Sequence, residues 1–80
     1  MILIVGMTNA ENTISLQQLG AHVRDLRMKK SLTQVELASK CDLDRNYIGM
    51  LERGERNPSY LTLVKIAKGL GLSMSDLLKI

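Results

Sequence analysis

Gln34-Val-Glu-Leu-Ala-Ser-Lys-Cys-Asp-Leu-Asp-Arg-Asn-Tyr-Ile-Gly-Met-Leu-Glu-Arg53 reads as two short helices joined by a tight bend. Leu37, Ala38 and Cys41 give the first helix one narrow apolar face, spaced i, i+1 and i+4. Leu43 follows the bend, and Ile48 and Leu51 recur at helical spacing on the second. Ala38 is small enough to let the two helices cross closely, as a helix-turn-helix requires. Arg45, Asn46, Gly49, Met50 and Arg53 remain outside the apolar face. They share one surface, because 45/49, 46/50 and 49/53 are i, i+4 pairs. That surface offers a guanidinium, an amide and a gap without a side chain. Arg can bond guanine at two points and Asn can do the same to adenine, so the set suits a reader of the DNA major groove. Most polar helix faces are only solvated, and helical hairpins are common. The weight falls on what surrounds this stretch.

At 80 residues the chain is expected to be one domain, of a size that buries only about 60–65% of its unfolded surface. Hydrophobic residues make up 45% with no Phe or Trp, which points to an aliphatic helical core with Met as filler. The net charge of +3 fits nucleic acid without requiring it. Its placement says more: Arg45, Arg53 and Arg56 cluster on or beside the proposed reading face. One cysteine excludes an intramolecular disulfide, and no paired Cys/His spacing suggests zinc. Cys41 reads as a small core residue in a reducing cytoplasm. The apolar run Met1 to Met7 is too short for a membrane span and lacks the layout of a signal peptide, so a cytoplasmic protein without membrane association is expected.

Residues 1–14 are expected to form an arm, and 15–80 the domain. Ser15 with Gln18 makes a capping box for the first helix, whose stripe is Leu16, Leu19, Val23 and Leu26. Lys29 and Lys30 in its last turn suit the macrodipole. His22 has no candidate partner and is expected to be a partly exposed helix residue. Arg27 is expected to bridge to Glu52 and so fix the reading helix against the first helix. Thr33 with Glu36 caps helix two, and its N-terminal amides with the Gln34 side chain suit a phosphate. Asp42 lies in the bend, where positive φ is expected, and Asp44 is the expected cap of helix three. Gly54 stops that helix, and Arg56 and Asn57 in the following loop can grip a phosphate. Ser59 caps helix four, with Tyr60, Leu63, Ala67 and Leu70 as its inward stripe. Gly71 ends it, and Ser73 with Asp76 caps a last short helix. Leu61, Val64, Met74, Leu77, Leu78 and Ile80 exceed what one small core can bury and are expected to face out as a homodimer surface. Two reading helices related by a two-fold axis would address half-sites roughly 34 Å apart.

Arg27, Leu32-Thr-Gln34, Glu36-Leu-Ala38, Tyr47-Ile48, Leu51-Glu-Arg-Gly54, Asn57-Pro-Ser59 and Ile66-Ala67…Leu70-Gly71 resemble the phage-repressor/Cro-type helix-turn-helix family, also called XRE. The resemblance covers most of the chain. It implies an all-α, compact, lambda-repressor-like domain of five helices, DNA binding as a dimer and transcriptional control. Within the family, Leu43 to Asn57 is similar to the controller proteins of restriction-modification systems. That likeness implies that Arg45 reads guanine, Asn46 replaces a Thr at the base edges and Tyr47 lies against the DNA near the dyad. It also implies that Arg56, Asn57 and Gln34 hold the backbone. The chain departs from the pattern at Gly49, where Ser is usual, at Val35, where a polar residue is usual, and in its apolar amino-terminal run.

The expected DNA contacts are therefore Thr33, Gln34, Arg45, Asn46, Tyr47, Met50, Arg53, Arg56 and Asn57. Double-stranded DNA and a second copy of the chain are the expected partners. RNA polymerase is a further candidate through Val35 and Glu36. An antitoxin or prophage repressor of the same fold is an alternative, and a protein-interaction module without DNA contacts is another. Catalysis is not expected, for want of a nucleophile–base pair, metal cluster or glycine-rich phosphate loop; neither is a cofactor or small-molecule ligand.

Overall fold

A computed structural model describes residues 14–80, and within them the regular structure is helical. The order is α1 (Leu16–Lys29), α2 (Gln34–Cys41), α3 (Arg45–Glu52), α4 (Tyr60–Leu70) and α5 (Met74–Leu77). The arm expected at residues 1–14 lies outside the described residues except for Ile14, which packs against the core.

Each helix begins where a side chain satisfies its orphan amides. Ser15 and Thr33 make reciprocal capping boxes with Gln18 and Glu36, while Asp44, Ser59 and Ser73 accept from the amides of Asn46, Thr62 and Asp76. Asp42 takes the left-handed conformation that ends α2, at φ 55°. Ser31, in the α1–α2 connection, does likewise at φ 57°. Gly54 and Gly71 carry the chain out of α3 and α4 at φ 79° and 72°.

Helices α2 and α3 have eight residues each, too few to persist alone, since isolated helices under about 12–15 residues are marginal in water. Packing supplies the rest. Helix α2 lies against α3 and α4, α1 against α3, and α5 against α4. Leu37, Ile48, Leu51, Leu63 and Ile66 lose all solvent contact at the centre. Burial of such a side chain contributes about 1.5–3 kcal/mol.

Ala38 is buried as expected, but the closest crossings are made by glycines. A Cβ on Gly20 would collide with the Leu51 carbonyl oxygen and lie 2.6 Å from that of Glu52, so α1 crosses the end of α3 backbone to backbone. A Cβ on Gly69 would collide with the Cys41 sulfur and lie 3.1 Å from the Cys41 nitrogen. Gly20→Ala should destabilise the fold. Alanine gains up to about 1 kcal/mol in helix propensity, while overpacking against backbone costs about 1–3 kcal/mol. Urea unfolding of the variant should show a lowered midpoint.

Two expectations about the second half are corrected. Tyr60, expected on the inward stripe of α4, is 47% exposed, because the first turn of α4 projects beyond the core and the stripe starts at Leu63. Leu77, expected on the dimer surface, is fully buried. The single turn of α5 inserts it into the core, leaving Met74 and Leu78 half-buried at the rim. The Leu77 carbonyl accepts a hydrogen bond from His22 Nε2 at 2.7 Å. His22 is thus half-buried and ties α1 to α5.

Cys41 is a buried free thiol whose pKa burial pushes up to about 11. Exposed in the unfolded chain it titrates near 9. The folded group therefore contributes stability that is complete below about pH 9 and is lost as pH rises towards 11. Wild type should lose more stability across that window than Cys41→Ala. Thiol reagents at neutral pH should modify Cys41 only on unfolding.

Candidate nucleic-acid interface

Helix α3 is amphipathic at close quarters. Ile48 and Leu51 enter the core, while Arg45 and Asn46 are exposed and Met50 is half-buried. Asp44 Oδ1 accepts the Asn46 amide at 2.7 Å and starts the helix. At the far end the Glu55 amide reaches back to the Met50 carbonyl at 2.9 Å, across the left-handed Gly54. A Cβ on Gly54 would also press on Gln17 of α1 at 3.0 Å.

Arg45, Asn46, Gly49, Met50 and Arg53 line one shallow concavity of about 500 Å³, and Gln34 from α2 closes its side. One detail of the expected face is corrected. Gly49 is not an open gap, because the helix buries it. The Arg53 guanidinium folds back over it, and the Gln34 amide flanks it.

Behind the concavity, Glu52 collects three donors. Arg27 Nε reaches one carboxylate oxygen at 2.7 Å, and Arg27 Nη2 and Gln34 Nε2 both reach the other at 3.0 Å. Arg27 Nη1 also donates to the Leu32 carbonyl at 2.8 Å. The Glu52 side chain is 3% exposed and that of Arg27 12%. The hydrogen bond to Glu52 holds the Arg27 pKa above its ordinary value, against the opposing effect of burial. This network joins α1, the α1–α2 loop, the start of α2 and the end of α3, and so sets the angle of α3.

The network changes what α2 can offer a phosphate. Gln34 spends an amide hydrogen on Glu52, while Thr33 and Glu36 satisfy each other through the capping box. The bond from Thr33 holds the exposed Glu36 carboxyl below its usual range, so a negative charge sits in the first turn. The amides of Gln34 and Val35, the first-turn donors that the cap does not use, remain for an anion.

Tyr47 is half-buried, its ring against the core and its hydroxyl near Thr62 and Arg56; burial raises its pKa. Arg56 and Asn57 are exposed just before the buried Pro58. On another side, Lys30, Lys40 and Lys68, at the C-terminal ends of α1, α2 and α4, border a second concavity. Lysines there complement the helix macrodipoles. Of the expected dimer surface, Leu61 and Ile80 are 71% and 50% exposed, and Val64 is half-buried. Among the described residues no group of His, Cys, Asp or Glu could hold a metal ion. No helix there is long and apolar enough to cross a membrane.

A capped α2, a left-handed turn and an amphipathic α3 with a polar outer side define a helix-turn-helix domain. Residues 23–77 match the helix-turn-helix family. Control protein C.BamHI of Bacillus amyloliquefaciens is 48% identical over 60 residues, covering 74% of each chain. Among solved structures, the restriction-modification controller protein C.AhdI of Aeromonas hydrophila superposes with a TM-score of 0.75 at 40% identity, covering 78% of this chain and 94% of its own. The controller C.Esp1396I, solved as a tetramer with its natural 35-base-pair operator, gives 0.74 at 37% identity, covering 78% and 82%. The chain belongs to the XRE-type helix-turn-helix family, among relatives that are control proteins of restriction-modification systems.

Proposed function

We propose that this chain is a sequence-specific DNA-binding transcriptional regulator, the controller of a restriction-modification system, acting as a homodimer on a near-palindromic operator. The observation that carries this is the gathering of Arg45, Asn46, Met50, Arg53 and Gln34 around one concavity on the outer side of α3, while the inner side is locked in the core. An α-helix fits the major groove, and guanidinium and carboxamide groups are its standard readers. Arg45 and Asn46 read base edges, with Met50 in apolar contact beside them. Thr33 and the α2 amides, Tyr47, Arg56 and Asn57 hold the backbone.

The second copy of the chain docks on Leu61, Val64, Met74, Leu78 and Ile80. Leu61 and Ile80 are exposed, with Val64, Met74 and Leu78 half-buried, and apolar surface left uncovered on a small domain supports an interface. Leu61→Glu should turn dimer into monomer in sedimentation and weaken operator binding, while urea unfolding is little changed, because Leu61 touches little of its own domain. The regulator works in the cytoplasm on the nucleoid, without catalysis. Val35, 51% exposed, and Glu36 on α2 are the surface offered to RNA polymerase.

Selecting bound fragments from random duplex DNA tests this reading. Recovery of two related half-sites about one helical turn apart is expected. Recovery of no preferred sequence would overturn it.

A further inference from the structure

Arg53 and Glu55 make an ion pair that is unlike the one behind the helix. Arg53 Nε donates to Glu55 Oε2 at 3.0 Å and Arg53 Nη2 to Glu55 Oε1 at 3.2 Å. Both side chains are more than half exposed, at 59% and 53%. Exposed pairs add little or nothing measurable to stability, so as a brace for the fold this one is nearly idle. Its position says more. Arg53 borders the same concavity as Arg45 and Asn46, and its Nη1 lies 3.2 Å from where a Cβ on Gly49 would be. The missing side chain at 49 is thus a seat, filled by the Arg53 guanidinium.

The geometry points to Glu55 as a specificity-determining positioning residue, one that holds Arg53 flat over Gly49 and converts it from a phosphate clamp into a reader of guanine. A guanidinium has five N–H groups in a rigid fork. Glu55 takes the side edge, made of Nε and one hydrogen of Nη2. The end of the fork, Nη1 with the second Nη2 hydrogen, stays available, and it has the form that bonds guanine O6 and N7 at two points. The carboxylate also offsets the charge of Arg53 beside the groove. A phosphate, which rewards charge irrespective of sequence, gains less from Arg53 than a base edge, which rewards orientation.

The inference rests on the DNA-binding reading, and its test separates the two. The full chain is assayed with the selected operator and with a scrambled duplex of equal length, over a range of salt. In Glu55→Gln the ratio of operator to scrambled affinity should fall about tenfold, toward the lower end of what one bidentate base contact supplies. Binding to the scrambled duplex should not weaken, and its salt dependence should steepen. Thermal unfolding should be unchanged, since both groups are exposed.

Loss of a negative charge could by itself favour any duplex, so the decisive comparison is made in an Arg53→Ala background. There, Glu55→Gln should leave the ratio unchanged. A ratio that Glu55→Gln does not alter in the wild-type background overturns the inference, as does an equal change with and without Arg53. If the wild-type chain does not distinguish operator from scrambled duplex, the DNA-binding reading itself falls.

Discussion

Glu52→Ala should lower the stability of the folded chain by about 3–5 kcal/mol, a large part of what a domain of this size has. The expected size follows from what is left behind. Arg27 would keep its charge in a pocket where its side chain is 12% exposed. Only its bond to the Leu32 carbonyl would remain, and the Gln34 amide would lose its acceptor as well. A largely buried cation left unpaired costs more than the pair is worth, because attraction within the pair mainly offsets desolvation of both charges. The double variant Arg27→Met with Glu52→Leu should therefore recover much of the loss. Equilibrium urea unfolding of Arg27→Met, Glu52→Leu and the double variant closes the cycle. Losses that simply add would show that the two side chains do not act as a unit. Since the network also sets the angle of α3, Glu52→Ala folded at low temperature should bind the operator less tightly than wild type.

Arg45→Ala should lose about 1–3 kcal/mol of operator affinity, roughly 5- to 150-fold, together with the preference at one base position. Arg45 is exposed on the first turn of α3, and no salt bridge among the described residues engages it. Truncating it should leave stability nearly untouched. Arg56→Ala provides the contrast. A backbone contact carries no sequence information, so its loss should weaken binding to every duplex alike and flatten the logarithmic salt slope by about 0.9. The same pair of titrations, operator against scrambled duplex at several salt concentrations, separates the two. If Arg45→Ala weakened both duplexes equally, the division between reading and holding residues would be wrong.

Much of this was legible along the chain because it is governed by neighbours three or four residues apart. Ser15, Thr33, Asp44, Ser59 and Ser73 announce helix starts, since a side-chain oxygen reaches the amide two or three residues on. Asp42 marks the bend, and the spacing of Ile48 and Leu51 separates the inner side of α3 from Arg45 and Asn46. Those local rules place the helix-turn-helix and its outer residues without any knowledge of what packs behind.

What local rules cannot reach is contact between segments distant in sequence. Gly20 and Gly69 look like helix weakeners in the sequence; only the crossings of α1 with α3 and of α4 with α2 show why a Cβ has no room there. Leu77 and Tyr60 exchange their expected sides because the rim of the core falls where α4 and α5 meet it, and periodicity carries no information about that rim. The hold of Glu52 on Gln34 spans 18 residues, and the bond of His22 to the Leu77 carbonyl spans 55. Local spacing along the chain is enough to give the helices, their caps and the polar side of α3. The tertiary structure alone decided which of those polar groups are free, because a hydrogen bond satisfied inside the molecule is no longer offered outside it.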